Sequence, residues 1–269
     1  MSTLALSLVQ TTTHWHDPKA NRDHFEALFK DLPDNGDLVV LPEMFATGFT
    51  MASSTQAEPM DGPTVVWLQS MARRYARTFC GSLVIRDAKR IFNRLLWVSP
   101  DGAIAHYDKR HRFRMADEHE HYHAGAQKLI VSLGTVRVCP LVCYDLRFPV
   151  WSRNRDDYDL LLYVANWPAA RQLAWRRLLP ARAIENQCYV AAVNVVGVDG
   201  GGVSYAGGSS VWDPEGRAVI DLGAAASIAN VTLDFSELTT YREQFPAWQD
   251  RDDFTLNVDN GPDSKQRQR

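Results

Sequence analysis

No stretch of this sequence is long and apolar enough to span a bilayer, and its N-terminal Met-Ser-Thr-Leu-Ala-Leu-Ser-Leu-Val-Gln lacks the basic residues and apolar length of an export signal. A cytoplasmic location is expected. Positive charge is not in excess either. The 29 Lys and Arg stand against 32 Asp and Glu, a net −3, which argues against nucleic acid or an anionic membrane as partner and for a small molecule. Cysteine is sparse: Cys80, Cys139, Cys143 and Cys188 lie mostly in apolar runs and read as free thiols in a reducing compartment. The glycine-rich segment 197–208 has neither Gly-x-x-x-x-Gly-Lys-Ser/Thr nor Gly-x-Gly-x-x-Gly spacing, so it reads as a turn-forming loop and not a phosphate cradle. No Gly-x-Ser-x-Gly elbow supports a serine hydrolase. Solenoid-period repeats and linkers are both missing. One domain is therefore expected over 1–259, followed by a polar, disordered tail at 260–269.

What the chain does contain is an alternation of short β-branched runs and amphipathic stretches. Strands are predicted at 4–9, 37–41, 80–85, 91–98, 103–107, 136–143, 160–165, 189–196, 209–212, 217–222 and 229–235. Helices are predicted at 18–32 after Asp17-Pro18, at 63–77 after Asp61-Gly62, at 148–157, at 172–186 and at 236–245. The inner face of the second helix is assigned to Val66, Leu68, Met71, Ala72 and Tyr75. This order nearly repeats in two halves. Mixed strands with helices spread through them indicate an α/β layered fold.

The run from Val136 ends abruptly at Cys143, which places a thiol at a strand exit, where a turn lifts a side chain clear of its sheet and frees backbone N–H groups. Buried structural cysteines occupy such positions too. Two further exits carry Glu43, after the strand at 37–41, and Lys109, after the strand at 103–107. Taken singly, Glu43 suits a solvated loop carboxylate and Lys109 a cation in the basic run Lys109-Arg110-His111-Arg112. Taken together they are a base, a cation and a nucleophile, a set suited to acyl transfer. Glu43 would accept the thiol proton, and Lys109 with the Tyr144 backbone N–H would hold the developing oxyanion. A nearby ammonium would also favour thiolate.

Three motifs carry a resemblance: Leu41-Pro42-Glu43-Met44-Phe45, Tyr107-Asp108-Lys109-Arg110-His111, and Leu141-Val142-Cys143-Tyr144-Asp145-Leu146-Arg147-Phe148-Pro149. With them the chain resembles the carbon–nitrogen hydrolase (nitrilase) superfamily, and within it the bacterial ω-amidases, or 2-oxoglutaramate amidases. The similarity runs from Leu4 to about Phe254 and includes Met115-Ala116-Asp117-Glu118-His119, Tyr163-Val164-Ala165-Asn166-Trp167-Pro168 and Phe245-Pro246-Ala247-Trp248-Gln249. It implies a four-layer αββα sandwich, the triad Glu43, Lys109 and Cys143, and a second glutamate at Glu118, with Glu120 the alternative. It also implies a thioester route needing no cofactor or metal, a small-molecule amide substrate, and a homodimer or homotetramer.

A carboxylate-bearing substrate would suit Arg147 or Arg171, although each could instead form an internal ion pair with Asp145 or Glu185. Trp167 and Phe113 are candidate pocket walls. A nitrile would pass through the same thioester and remains an alternative. The segment His119-Glu120-His121-Tyr122-His123 matches His-Glu-x-x-His, so a zinc metalloprotease through His119 and His123 is a further alternative, though no third ligand is evident.

Overall fold

The computed structural model describes residues 3–257. Its first half runs β1 (Thr3–Gln10), α1 (Pro18–Leu28), β2 (Leu38–Val40), α2 (Ser53–Gln56), α3 (Pro63–Tyr75), β3 (Thr78–Asp87), β4 (Arg90–Val98), β5 (Ile104–Asp108) and the single turn α4 (Glu118–His121). The second half begins with β6 (Val131–Leu133), β7 (Val136–Val142), α5 (Pro149–Ser152), β8 (Leu160–Val164), α6 (Gln172–Asn186) and β9 (Tyr189–Val193). It closes with β10 (Val196–Val198), β11 (Ser204–Ala206), β12 (Ser210–Trp212), β13 (Ala218–Asp221), β14 (Ser227–Asp234) and α7 (Phe235–Gln244).

Two six-stranded mixed sheets form, in the orders β14-β1-β2-β3-β4-β5 and β13-β12-β9-β8-β7-β6. Each has a parallel trio, β1-β2-β3 or β7-β8-β9, flanked by antiparallel strands. That shared plan is the near repeat visible in the element order. The period-2 pleat then sorts side chains between layers. Leu4, Leu6, Leu8, Leu38 and Val40 join Val138, Leu141 and Val142 of the second sheet in one core, while Val9, Val39, Leu41 and Phe79 pack with Phe25, Leu68 and Met71 of α1 and α3. On the far side α6 lays Trp175, Leu179 and Ala183 on the second sheet. The result is the expected αββα sandwich, in which strands covered on both faces are apolar almost throughout.

Local differences from the sequence reading have local causes. α1 stops at Leu28 and tightens into a 3-10 turn over Phe29–Asp31, and α3 ends in a left-handed cap at Ala76 (φ 50°) whose N–H bonds back to Ala72. On α3, Val65 takes the inner position expected of Val66, which is 52% exposed. The helix expected at 148–157 contracts to α5. Asn154 turns the chain there, its amide donating to the carbonyls of Tyr158 and Asn186. The loop 197–208 carries the hairpin β10–β11, held by Asp199, which accepts from the N–H groups of Gly201 and Val203. No helix among the described residues is long and apolar enough to cross a membrane. The tail expected to be disordered, 260–269, lies outside the described residues.

Candidate active site

Glu43 follows β2 through Pro42, and the next residue, Met44, adopts a left-handed backbone (φ 43°). Met44 donates its N–H to Ser82 Oγ at 2.8 Å. Asn166, at the exit of β8, donates its own N–H to Glu43 Oε2 at 2.8 Å and its side-chain amide to the Glu43 carbonyl at 2.5 Å. Lys109 leaves β5 beside β4, with its N–H on the Asn93 carbonyl at 3.0 Å. Cys143 leaves β7 at φ 44° and opens a 3-10 turn over Cys143–Arg147. A non-glycine residue held in this region stores strain of roughly 1–3 kcal/mol, so the surroundings must fix it. Asp145 does so from full burial. Its carboxylate accepts from Val142 N–H (3.1 Å), Tyr107 Oη (2.8 Å) and both the backbone N–H (3.0 Å) and Nδ1 (2.7 Å) of His111.

These three exits are not adjacent strands. β3 and β4 separate β2 from β5, and β7 belongs to the other sheet. The tips meet because the two sheets lie face to face. Lys109 Nζ stands 2.8 Å from Glu43 Oε1 and 2.9 Å from each oxygen of Glu118, and all three side chains are buried. Glu118 Oε2 also accepts the Phe113 N–H at 2.5 Å. Asn93 donates to Glu43 Oε1 at 2.7 Å and to Glu118 Oε1 at 3.3 Å.

Electrostatics follow from this packing. Burial alone would pull the Lys109 ammonium down, but Glu118 and Glu43 together hold it above the ordinary lysine range. Burial raises Glu118, and repulsion from Glu43 adds to this against the pull of Lys109. Burial and the adjacent Glu43 carboxylate, its hydrogen-bond partner, push the Cys143 thiol well up, with Lys109 only partly opposing. Lys109 does favour the thiolate, as the sequence suggested, but burial and Glu43 outweigh it. At rest the sulfur is a neutral thiol aimed at a carboxylate, because a second negative charge beside Glu43 in a dry site is the less stable arrangement.

Above the thiol opens a cavity of about 670 Å³. Phe49, Phe113, Tyr144, Trp167 and Tyr205 wall it, and both Arg147 and Arg171 reach its lining. Neither arginine forms the internal ion pair considered from the sequence. Asp145 is engaged as above and Glu185 pairs with Arg182 at 3.0 Å. Arg147 lies over the Trp167 ring at 5.1 Å and Arg171 over Phe113 at 5.1 Å. Of the two glutamates left open by sequence, Glu118 meets Lys109, whereas Glu120 is exposed and pairs with His119.

The zinc alternative does not hold. α4 ends at His121 and Tyr122 is extended, so His123 is not on the helix face of His119. Its N–H bonds to Ile91 and its ring packs near Phe92. Among the described residues no group of three or more His, Cys, Asp or Glu side chains is placed to hold a metal ion.

Sequence reasoning missed Ser82, Asn93, Asn166 and Tyr205. Ser82 and Asn166 left a faint signal, a polar residue inside or directly after an apolar run, whereas Asn93 sits beside Arg94 in a strand that begins with Arg90 and left none.

A Carbon-nitrogen hydrolase family model matches residues 5–243. The chain belongs to the carbon–nitrogen hydrolase family. Its reaction class is accordingly that of an amidohydrolase, cleaving carbon–nitrogen bonds other than peptide bonds. This hydrolase is 47% identical to the omega-amidase YafV of Escherichia coli (strain K12) over 257 residues, covering 95% of this chain and 100% of that protein. It is 32% identical to the 2-oxoglutaramate amidase of Bacillus subtilis (strain 168) over 91% of this chain and 96% of that one. A CN-hydrolase superfamily protein of Xanthomonas campestris, solved with an arsenic adduct in its active site, superposes with a TM-score of 0.94 at 48% identity, covering 96% of this chain and 100% of its own.

Proposed function

We propose that the hydrolase releases ammonia from the ω-amide of a small carboxylic acid, with 2-oxoglutaramate or a related α-keto acid amide as substrate. The observation that carries this reading is the cavity itself: a thiol at the floor, hydrophobic walls, and two guanidinium groups without carboxylate partners among the described residues. Arg147 and Arg171 would hold the substrate carboxylate by charge-assisted hydrogen bonds, with Trp167 and Phe113 flanking its carbon chain. The names of the Escherichia coli and Bacillus subtilis relatives support the same substrate class.

In the proposed course Glu43 takes the Cys143 proton as sulfur attacks the amide carbon. The oxyanion is held by Lys109 and the Tyr144 N–H at the start of the 3-10 turn, whose first N–H groups lack intrahelical partners. The carbon–nitrogen bond then breaks, and protonated Glu43 gives its proton to the departing nitrogen, leaving a thioester. Water enters, loses a proton to Glu43 and attacks the same carbon. Collapse expels the sulfur, which recovers the proton, and the free acid leaves. Glu118 orients Lys109 and the amide. Holding the thiol neutral until substrate arrives suits this route, because the proton then moves only as the carbon–sulfur bond forms.

The remaining assignments accompany this reading: one functional unit over 1–259, a cytoplasmic location, and a homodimer or homotetramer whose contact includes the exposed Val150 and the C-terminal segment. The deciding experiment measures ammonia from 2-oxoglutaramate, neutral amides of equal length and the matching nitriles. Anionic ω-amides should be preferred, and Cys143→Ala should abolish turnover while leaving the fold intact. Preference for nitriles, or wild-type turnover by Cys143→Ala, would overturn the proposal.

A further inference from the structure

The lysine of the resting cluster has no hydrogen to spare. An ammonium carries three donors, and three carboxylate oxygens lie within 2.9 Å of Lys109 Nζ: Glu43 Oε1 and both oxygens of Glu118. If the proposed reaction is right, and this inference rests on it, one of those hydrogens must turn to the substrate oxyanion. Glu43 is held once by the lysine and faces the thiol. Glu118 is held twice, so it is the partner that releases one contact. A buried charged acceptor stripped of a donor is strongly disfavoured unless another donor arrives.

We propose that Asn93 is that donor, a positioning residue that steadies Glu43 at rest and takes over Glu118 Oε1 when Lys109 turns a hydrogen toward the oxyanion. Its amide nitrogen spans both carboxylates, at 2.7 Å from Glu43 Oε1 and 3.3 Å from Glu118 Oε1, so the longer bond is already aimed and has room to shorten. The orientation of the amide is fixed from behind. Met44 N–H occupies Ser82 Oγ as acceptor, which commits the hydroxyl hydrogen to Asn93 Oδ1 at 2.8 Å and turns the NH2 group toward the carboxylates. Phe113 N–H anchors Glu118 Oε2 while Oε1 changes partner. The other polar groups around the cluster are engaged elsewhere. Tyr122 donates to the Thr50 carbonyl at 2.6 Å, Tyr205 donates to Asp199 at 2.8 Å, and Asn166 serves the far oxygen and carbonyl of Glu43.

The test compares amide turnover with alkylation of Cys143 by iodoacetamide, a displacement of iodide that forms no oxyanion. Asn93→Leu should lower kcat about 10- to 100-fold. KM should stay within about threefold of wild type, and the alkylation rate, which feels only the loosened Glu43, should fall by a clearly smaller factor than kcat. Ser82→Ala, which frees the amide to rotate, should shift kcat in the same direction by a smaller factor, and it decides the matter by the same criteria if Asn93→Leu does not fold. A kcat within about twofold of wild type would overturn the proposal, as would alkylation falling in step with turnover, since the nucleophile itself would then be damaged. Failure of the substrate reading shows separately. A wild-type protein that ignores ω-amides sinks that reading alone, and the same comparison then runs on the short amide it does hydrolyse.

Discussion

Replacing Lys109 with methionine removes the cation that stands 2.8 Å from Glu43 and 2.9 Å from Glu118 in a buried site. Breaking such a pair by deleting one partner costs about 3–5 kcal/mol. At about 2–4 °C per kcal/mol for a chain of this size, the melting temperature should drop by roughly 6–20 °C near pH 8. The loss should also depend on pH, with a definite sign. Burial and Glu43 already raise Glu118 against Lys109 and the Phe113 N–H, so without the lysine Glu118 rises further and takes up a proton. A carboxyl raised in the folded state contributes stability that is present below its unfolded value, 4.5, and is lost as pH climbs through the folded value. The slope is at most about 1.4 kcal/mol per pH unit, so the deficit should be small near pH 5 and large near pH 8. Thermal melts at both pH values measure it, with the double variant Lys109→Met, Glu118→Gln as control, because deleting one of the stranded carboxylates should restore much of the stability. An equal drop at both pH values, or a double variant no more stable at pH 8 than the single one, would refute the buried-cluster account.

Arg147→Ala and Arg171→Ala should each raise KM for anionic ω-amides by roughly tenfold or more while leaving neutral amides unaffected, as expected for loss of a charge-assisted bond; steady-state kinetics on paired substrates checks this. Burial holds the thiols of Cys80, Cys139, Cys143 and Cys188 above their ordinary value of 9.0 in the folded state. Their contribution to stability is therefore complete below that value and lost above it, so the melting temperature should decline beyond about pH 9, and a curve flat to about pH 10.5 would contradict the assignment. A thiolate absorbance at Cys143 titrating below 9.0, measured as wild type minus Cys143→Ala, would likewise contradict a neutral resting sulfur. Gly125→Ala would place a Cβ 1.9 Å from the Asp108 carbonyl, a backbone atom that cannot swing away, beside the strand exit that carries Lys109. It should cost about 1–3 kcal/mol by denaturant titration and lower turnover through displacement of the lysine.

The sequence by itself determined which side chains stand at strand exits, because a buried strand must be apolar along its length and its polar end is then conspicuous. Glu43, Lys109 and Cys143 were legible as strand-exit residues, as were an α/β layered fold from mixed strands with helices spread through them and the boundaries of α6 at 172–186, whereas the four-layer αββα sandwich was implied by the family resemblance. Only the tertiary structure decided that these exits meet, since they come from nonadjacent strands and from two sheets, and no local pattern encodes how one sheet faces another. It also decided Glu118 over Glu120, and it decided that burial and Glu43 outweigh Lys109 in holding the sulfur protonated. Sequence shows a lysine near the thiol in kind, but the balance between burial, Glu43 and Lys109 depends on distances of a few ångströms. Asn93 and Ser82 belong to the same class. Each is a polar residue in the buried part of its strand, and what it holds becomes visible only when chain segments tens of residues apart are brought to within hydrogen-bonding distance.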